Sequence, residues 1–225
     1  MTQAQPIIAI LGGGSFGTAI ANIAAEFGVK THLWMRSESA VKEILETREN
    51  SKYLPELVLH ENLLPTSSLS DAVECAQAIF FAIPSKSFRD VVEQAKIFIR
   101  PDQYVISTTK GIEPGTLNLM SDILRSELPS CPYGVMGGPN LAKEIAKREL
   151  TATVIASQYS ELRKFVQDIL GCAYFNLRIL NHSSTPFNHG CGESGVFLRF
   201  YGLNRWRNES RFAHLGFLDG ACIKC

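Results

Sequence analysis

The stretch "IIAILGGGSFGTAIANIAAEFG", residues 7–28, decides the fold. Five apolar residues, Ile7 to Leu11, are followed by glycines and then by Phe16, Ile20, Ile23, Ala24 and Phe27 at helical spacing. Gly12, Gly14 and Gly17 form a G-x-G-x-x-G frame between that strand and that helix. Gly12 permits a tight turn, Gly14 lets the backbone approach a pyrophosphate, and Gly17 lets helix and strand pack closely. The first turn of the helix then offers unpaired N–H groups to an anion, with Ser15 and Phe16 as the nearest side chains. A lone glycine frame is a weak signal. Here the strand before it, the helix after it and a second strand at the expected distance favour a dinucleotide site over a merely tight strand-to-helix turn.

Working outward, the same alternation continues to about residue 175. Strands are expected at Ile7 to Leu11, Thr31 to Met35, Ala78 to Ile83, Tyr104 to Ser107, Gly134 to Met136 and Ala152 to Ile155. Helical patterns lie near 15–28, 37–48, 86–98, 117–127, 140–147 and 159–170. Short unbroken apolar runs suit strands covered on both faces, and their alternation with helices implies an α/β, Rossmann-like, doubly wound and mostly parallel sheet. Near residue 176 the texture changes to Asn, His, Ser, Gly and Arg without a sustained period. We therefore expect a dinucleotide-binding domain over 1–178 and an irregular tail over 179–225.

The 225 residues can bury a sizeable core, and 22 Lys+Arg balance 22 Asp+Glu. That balance argues against a nucleic-acid binder, which would carry a basic excess. The N-terminal residues lack a basic segment and a long apolar run, and no stretch reaches membrane-spanning length, so a cytoplasmic protein without membrane insertion is expected. Six cysteines, at 75, 131, 172, 191, 222 and 225, then read as free thiols. The terminal "CIKC" with Cys191 and His189 is a weak zinc signal without a second pair, and no metal is assigned.

Ligands of open parallel sheets lie outside the carboxyl ends of the strands. The second strand ends in "HLWMRSES", placing Arg36 where an NAD-selective site carries an acid. Arg36 reads either as a contact for the 2′-phosphate of NADP or as a solvated strand end. In "AIFFAIPSKS", Pro84 stops the strand and Ser85 is expected to cap the next helix. In "YGVMGGPNLAKE", Gly137 and Gly138 allow close backbone approach, and Asn140 is expected to cap the helix that follows. In "YVISTTKGIEPG", Lys110 ends its strand as a cation able to hold a substrate oxygen and stabilise developing negative charge. The alternative for Lys110 is a solvated turn lysine.

Taken together, "AILGGGSFGTAIA", "LWMR", "YLPELVL", "AIPS", "STTKGIE" and "GGPNLAKEI", in this order and spacing, resemble the bacterial NAD(P)-dependent glycerol-3-phosphate dehydrogenases over residues 6–175. The resemblance implies reduction of dihydroxyacetone phosphate to sn-glycerol 3-phosphate, for glycerophospholipid synthesis, with NADP or NAD as cofactor. It implies cofactor contacts at Ser15, Phe16, Arg36, Lys110 and Ala142, beside Gly12, Gly14 and Gly17, and substrate contacts at Lys110, Gly138 and Asn140. It also implies a helical substrate domain, entered through a segment resembling I-G-V-E-L-x-G-A-x-K-N, whose lysine donates and accepts the proton.

That motif is not found in this sequence, and the helical domain is expected to be absent from it. A frameshift is one account, since codons for His189 to Glu193, read one nucleotide later, can encode Met-Gly-Val-Glu; a divergent tail or a truncation are others. The second functional reading is a non-catalytic dinucleotide-binding fragment or a decaying gene product. A third, a hydroxy-acid dehydrogenase of similar build, is opposed by "STTKGIE" and "GGPNLAKE". The oligomeric state is not legible.

Overall fold

The unbroken apolar runs become strands whose alternate side chains feed two separate cores. In β1 (Ile7–Leu11), Ile8 and Ile10 enter one layer, while Ala9 and Leu11 enter the other. In β4 (Ala78–Phe81), Ala78 and Phe80 follow the first layer, and Ile79 and Phe81 the second. β5 (Tyr104–Ser107) divides likewise, with Ile106 on one side and Val105 on the other. A computed structural model describes residues 5–181. Most of the tail expected over 179–225, with His189, Cys191, Cys222 and Cys225, lies outside the described residues.

The remaining strands are β2 (Lys30–Trp34), β3 (Leu63–Thr66), β6 (Tyr133–Gly137), β7 (Thr151–Ser157) and β8 (Phe175–Asn181). They form one eight-stranded sheet in the order β3-β2-β1-β4-β5-β6-β7-β8. Every neighbouring pair is parallel except β6 with β7. The sheet is thus mostly parallel, and its order reverses between β1 and β4, where a doubly wound fold opens its crevice.

Helices α1 (Ser15–Glu26), α2 (Glu38–Thr47), α6 (Ala142–Ala146) and α7 (Ser160–Leu170) place Ile20, Ile44, Ile145 and Val166 in the first layer. Helices α3 (Leu69–Val73), α4 (Phe88–Ala95) and α5 (Met120–Glu127) cover the second with Val73, Phe88 and Ile123. The expected helix over 86–98 is observed as α4 flanked by two 3₁₀ turns, Ser85–Ser87 and Lys96–Phe98.

β3, α3 and β8 lie outside the strands and helices expected from the sequence. β3, "LLPT", contains Pro65, which argues against a central strand; it is tolerated because β3 is the sheet's edge. α3 spans five residues, too few for a helical period to register, and starts where the Ser68 hydroxyl accepts the Asp71 N–H. Among the described residues, no helix is long and apolar enough to cross a membrane.

Candidate functional site

Because β1 to β6 run parallel, the turns after β2, β1, β4, β5 and β6 share one rim of the sheet. Arg36, the glycine loop, Pro84 and Ser85, Lys110, and Gly138 with Asn140 follow one another along it in that strand order.

The three frame glycines differ in what they touch. Gly12 adopts φ +127°, and a Cβ there would lie 2.3 Å from the Ala82 carbonyl oxygen. A Cβ on Gly17 would lie 1.9 Å from the Gly12 carbonyl oxygen. Gly14, by contrast, has no heavy atom within 4 Å of the corresponding point. Gly12 and Gly17 are therefore demanded by the turn and the helix packing, while Gly14 keeps open the space in front of α1. No side chain caps Gly14, and the first helical bond is Thr18 N–H to its carbonyl. The N–H groups of Ser15, Phe16 and Gly17 have no intrahelical acceptor and lie at the positive end of the helix dipole.

The loop is braced by a segment that sequence reasoning passed over. Asn50, 2% exposed, donates through Nδ2 to the Gly13 carbonyl at 3.0 Å and to Thr18 Oγ1 at 2.8 Å. Ser15 Oγ donates to the Tyr53 carbonyl at 2.9 Å, so its hydroxyl proton is already engaged. Phe16 is half-buried and packs on the first core. Asn50 sits in an aperiodic stretch, and nothing local marks it as a partner of a loop so distant in sequence.

Both capping expectations fail. Ser85 opens a 3₁₀ turn without a side-chain cap, because the residue after Pro84 is drawn directly into that turn. Asn140 does not cap α6, whose N-cap is Leu141; its Nδ2 donates instead to Thr153 Oγ1 at 2.9 Å, on the neighbouring strand β7. Asn140 Oδ1 is buried and has no partner. Among the described residues it shares that state only with His32 Nε2, whose ring pKa is lowered, chiefly by burial. An orphaned amide oxygen beside Gly138, at the rim, is an acceptor awaiting a donor.

Lys110 and Arg36 are both exposed, and no acceptor is bound to either. Thr108 and Thr109, just before Lys110, hold their turn against β4. Thr108 Oγ1 donates to the Phe81 carbonyl at 3.0 Å, and Thr109 Oγ1 lies 2.7 Å from the Ile83 carbonyl. A Cβ on Gly111 would lie 3.6 Å from Ser85 Oγ, so the β4 and β5 turns are in contact. Ala142 begins α6, half-buried under the exposed Leu141. The structure thus joins the β1, β4 and β5 turns directly and sets the β6 turn on the neighbouring strand. Among the described residues, no three His, Cys, Asp or Glu side chains converge on a metal position.

Uncapped helix N–H groups, two free cations and a buried acceptor along one rim suit a long phosphorylated ligand. A family model described as the NAD-dependent glycerol-3-phosphate dehydrogenase N-terminus matches residues 7–163. A glycerol-3-phosphate dehydrogenase [NAD(P)+] of Acinetobacter baylyi is 48% identical over 87% of this chain and 53% of its own length. Its counterpart in Saccharophagus degradans is 40% identical with the same two coverages. Among solved structures, the glycerol-3-phosphate dehydrogenase of Coxiella burnetii superposes with a TM-score of 0.75 at 32% identity, covering 79% of this chain and 54% of that one. The chain spans about half the length of the curated relatives it matches.

Proposed function

The chain belongs to the NAD-dependent glycerol-3-phosphate dehydrogenase family, and from that premise we propose that it is the dinucleotide-binding part of an enzyme reducing dihydroxyacetone phosphate to sn-glycerol 3-phosphate for glycerophospholipid synthesis. The observation that carries this is the open space before the uncapped start of α1, at Gly14. The residues fit a dinucleotide, because helix N–H groups without intrahelical acceptors can meet an anion there and the Gly14 Cβ position is open.

In this reading Gly12, Gly14 and Gly17 shape the cradle, and the N–H groups of Ser15 and Phe16 would hold the pyrophosphate. Arg36 would take the 2′-phosphate of NADP, and Ala142 would line the nicotinamide end. Lys110 would reach both cofactor and substrate, placing a positive charge where the carbonyl oxygen becomes negative. Gly138, where a Cβ would lie 2.8 Å from the Ala152 carbonyl oxygen on β7, would let the turn sit close to that strand beside the substrate, and the orphaned Asn140 acceptor would receive a substrate hydroxyl. When bound, the reduced nicotinamide supplies the hydride chemistry. Phosphorylated small-molecule substrates and a nicotinamide cofactor support a cytoplasmic location.

The lysine motif for proton transfer is not found in these 225 residues, and loss of a general acid costs about 10²- to 10⁴-fold in rate. We expect a polypeptide of these 225 residues to bind cofactor and, assayed without that motif, to turn over slowly. Calorimetric titration with NADPH and NADH tests the first point, and failure to bind either overturns the proposal. A spectrophotometric assay with dihydroxyacetone phosphate and NADPH tests the second; turnover matching a full-length relative would refute it. Binding without any turnover would favour the second reading, a non-catalytic dinucleotide-binding fragment.

A further inference from the structure

The turn that carries Lys110 is anchored on both sides while its ammonium is left free. Before it, Thr108 and Thr109 are tied to the carbonyls that end β4. After it, Gly111 at φ +99° leads into a small hairpin closed by the Ile112–Leu119 bridge and by Glu113 N–H to the Asn118 carbonyl at 2.8 Å. The hairpin has little apolar surface to hold it, since Ile112 is 38% exposed and Leu117 69%. It also keeps Gly115 and Leu117 at positive φ, which a leucine adopts only under constraint.

What holds it is ionic. Arg89, on α4, donates from Nε and Nη2 to the two carboxylate oxygens of Glu113 at 2.6 and 2.9 Å. Glu113 also accepts from Thr116 Oγ1, and from Asn118 Nδ2 at 3.3 Å, so one carboxylate gathers the whole hairpin. The third Arg89 nitrogen donates to Glu127 on α5 at 2.7 Å, and Lys96 donates to the other Glu127 oxygen at 3.0 Å. Side-chain exposures of 12% for Glu113 and 17% for Glu127 give the pairs more shelter than ordinary surface bridges. Planar two-point geometry of this kind fixes orientation as well as distance.

We propose that Arg89 and Glu113 are positioning residues: their bidentate pair locks the 111–119 hairpin onto α4 and thereby sets where Lys110 presents its charge along the rim. The proposal rests on the reading of Lys110 as a cofactor contact. A pair that acts through Lys110 loses its influence on the ligand once Lys110 is gone, whereas a pair that merely stabilises the fold does not.

The test is a double-mutant cycle on the full chain, with NADPH affinity measured by titration below the melting range of every variant. We expect Lys110→Ala to weaken binding at least about tenfold and Glu113→Gln to weaken it about three- to tenfold. In the Lys110→Ala background, Glu113→Gln should then change affinity less than about twofold. Wild-type affinity in Glu113→Gln, or full multiplication of the two effects, overturns the clamp while leaving the Lys110 contact standing. Unchanged affinity in Lys110→Ala instead removes that contact, and the clamp with it. Should Glu113→Gln fail to fold, Arg89→Lys, which keeps the charge and gives up the two-point geometry, runs the same cycle with the same outcomes.

Discussion

Adding one methyl group at Gly14 and at Gly17 should separate binding from stability. At Gly14 the backbone lies at φ −75°, ψ 180°, which alanine adopts freely, and the new Cβ meets nothing within 4 Å. Alanine gains about 0.4–1 kcal/mol through the unfolded chain and loses a comparable amount as a poorer N-cap. Stability should stay within about 1 kcal/mol, or about 2–4 °C in Tm. The methyl does occupy the space before the helix N–H groups. Pushing a phosphate away from one or two such donors forfeits about 1.5–3 kcal/mol each, so NADPH affinity should fall about 10- to 100-fold. At Gly17 the Cβ would sit 1.9 Å from the Gly12 carbonyl oxygen, backbone against helix. Overpacking of that kind costs about 1–3 kcal/mol or more, lowering Tm by several degrees whether or not ligand is present. Thermal melts with calorimetric titration read both quantities. Wild-type NADPH affinity in Gly14→Ala would refute the assignment of the loop as the phosphate cradle.

Three more outcomes follow from the geometry. Arg36→Asp should weaken NADPH binding by about tenfold or more while changing NADH binding less than about threefold; equal losses in paired titrations would return Arg36 to the role of a solvated strand end. Asn50→Ala removes the brace on Gly13 and Thr18 and should cost about 1–3 kcal/mol, with faster amide exchange at residues 13–15; unchanged exchange there would mean that the loop holds itself. The third concerns acid. Hydrogen bonds from Arg89, foremost, and from Thr116 hold the Glu113 carboxyl at about 2, below its usual 4.5. Its contribution is therefore complete above pH 4.5 and is lost as pH falls toward 2, with Arg89, Lys96 and Glu127 the other charged groups in the network. After allowance for solvent screening the loss is about 1 kcal/mol; urea midpoints of wild type and Glu113→Gln that run parallel through that window would contradict it.

The fold was legible wherever one strand supplies its own signal. β1, β4 and β5 are apolar on both faces and read as buried strands from their residues alone, and the glycine frame located the turn that orders the sheet. Legibility ended where an interaction joins distant segments. Asn140 carries every local mark of a helix cap, yet its amide is drawn to Thr153 on the antiparallel neighbour β7, a pairing that only the folded sheet creates. Asn50 and Arg89 are similar cases, for their partners Gly13 and Glu113 are brought near by crossovers. β3 was obscured by Pro65, whose tolerance depends on its being an edge, a property of the assembled sheet.

The contact between Gly12 and Ala82 has a consequence for how the chain acquires its site. The glycine fingerprint leaves the ribosome well before the carbonyl that walls it, which belongs to Ala82, just after β4. Its inner brace, Asn50, emerges in between, and the Thr109 tether later still. Closure of these long loops precedes any reward from the contacts they make, which slows assembly of such topologies. A nascent chain arrested before residue 82 would carry the complete motif without the cradle. Cofactor capture during synthesis should therefore begin with completion of the central strands, and not with appearance of the glycines.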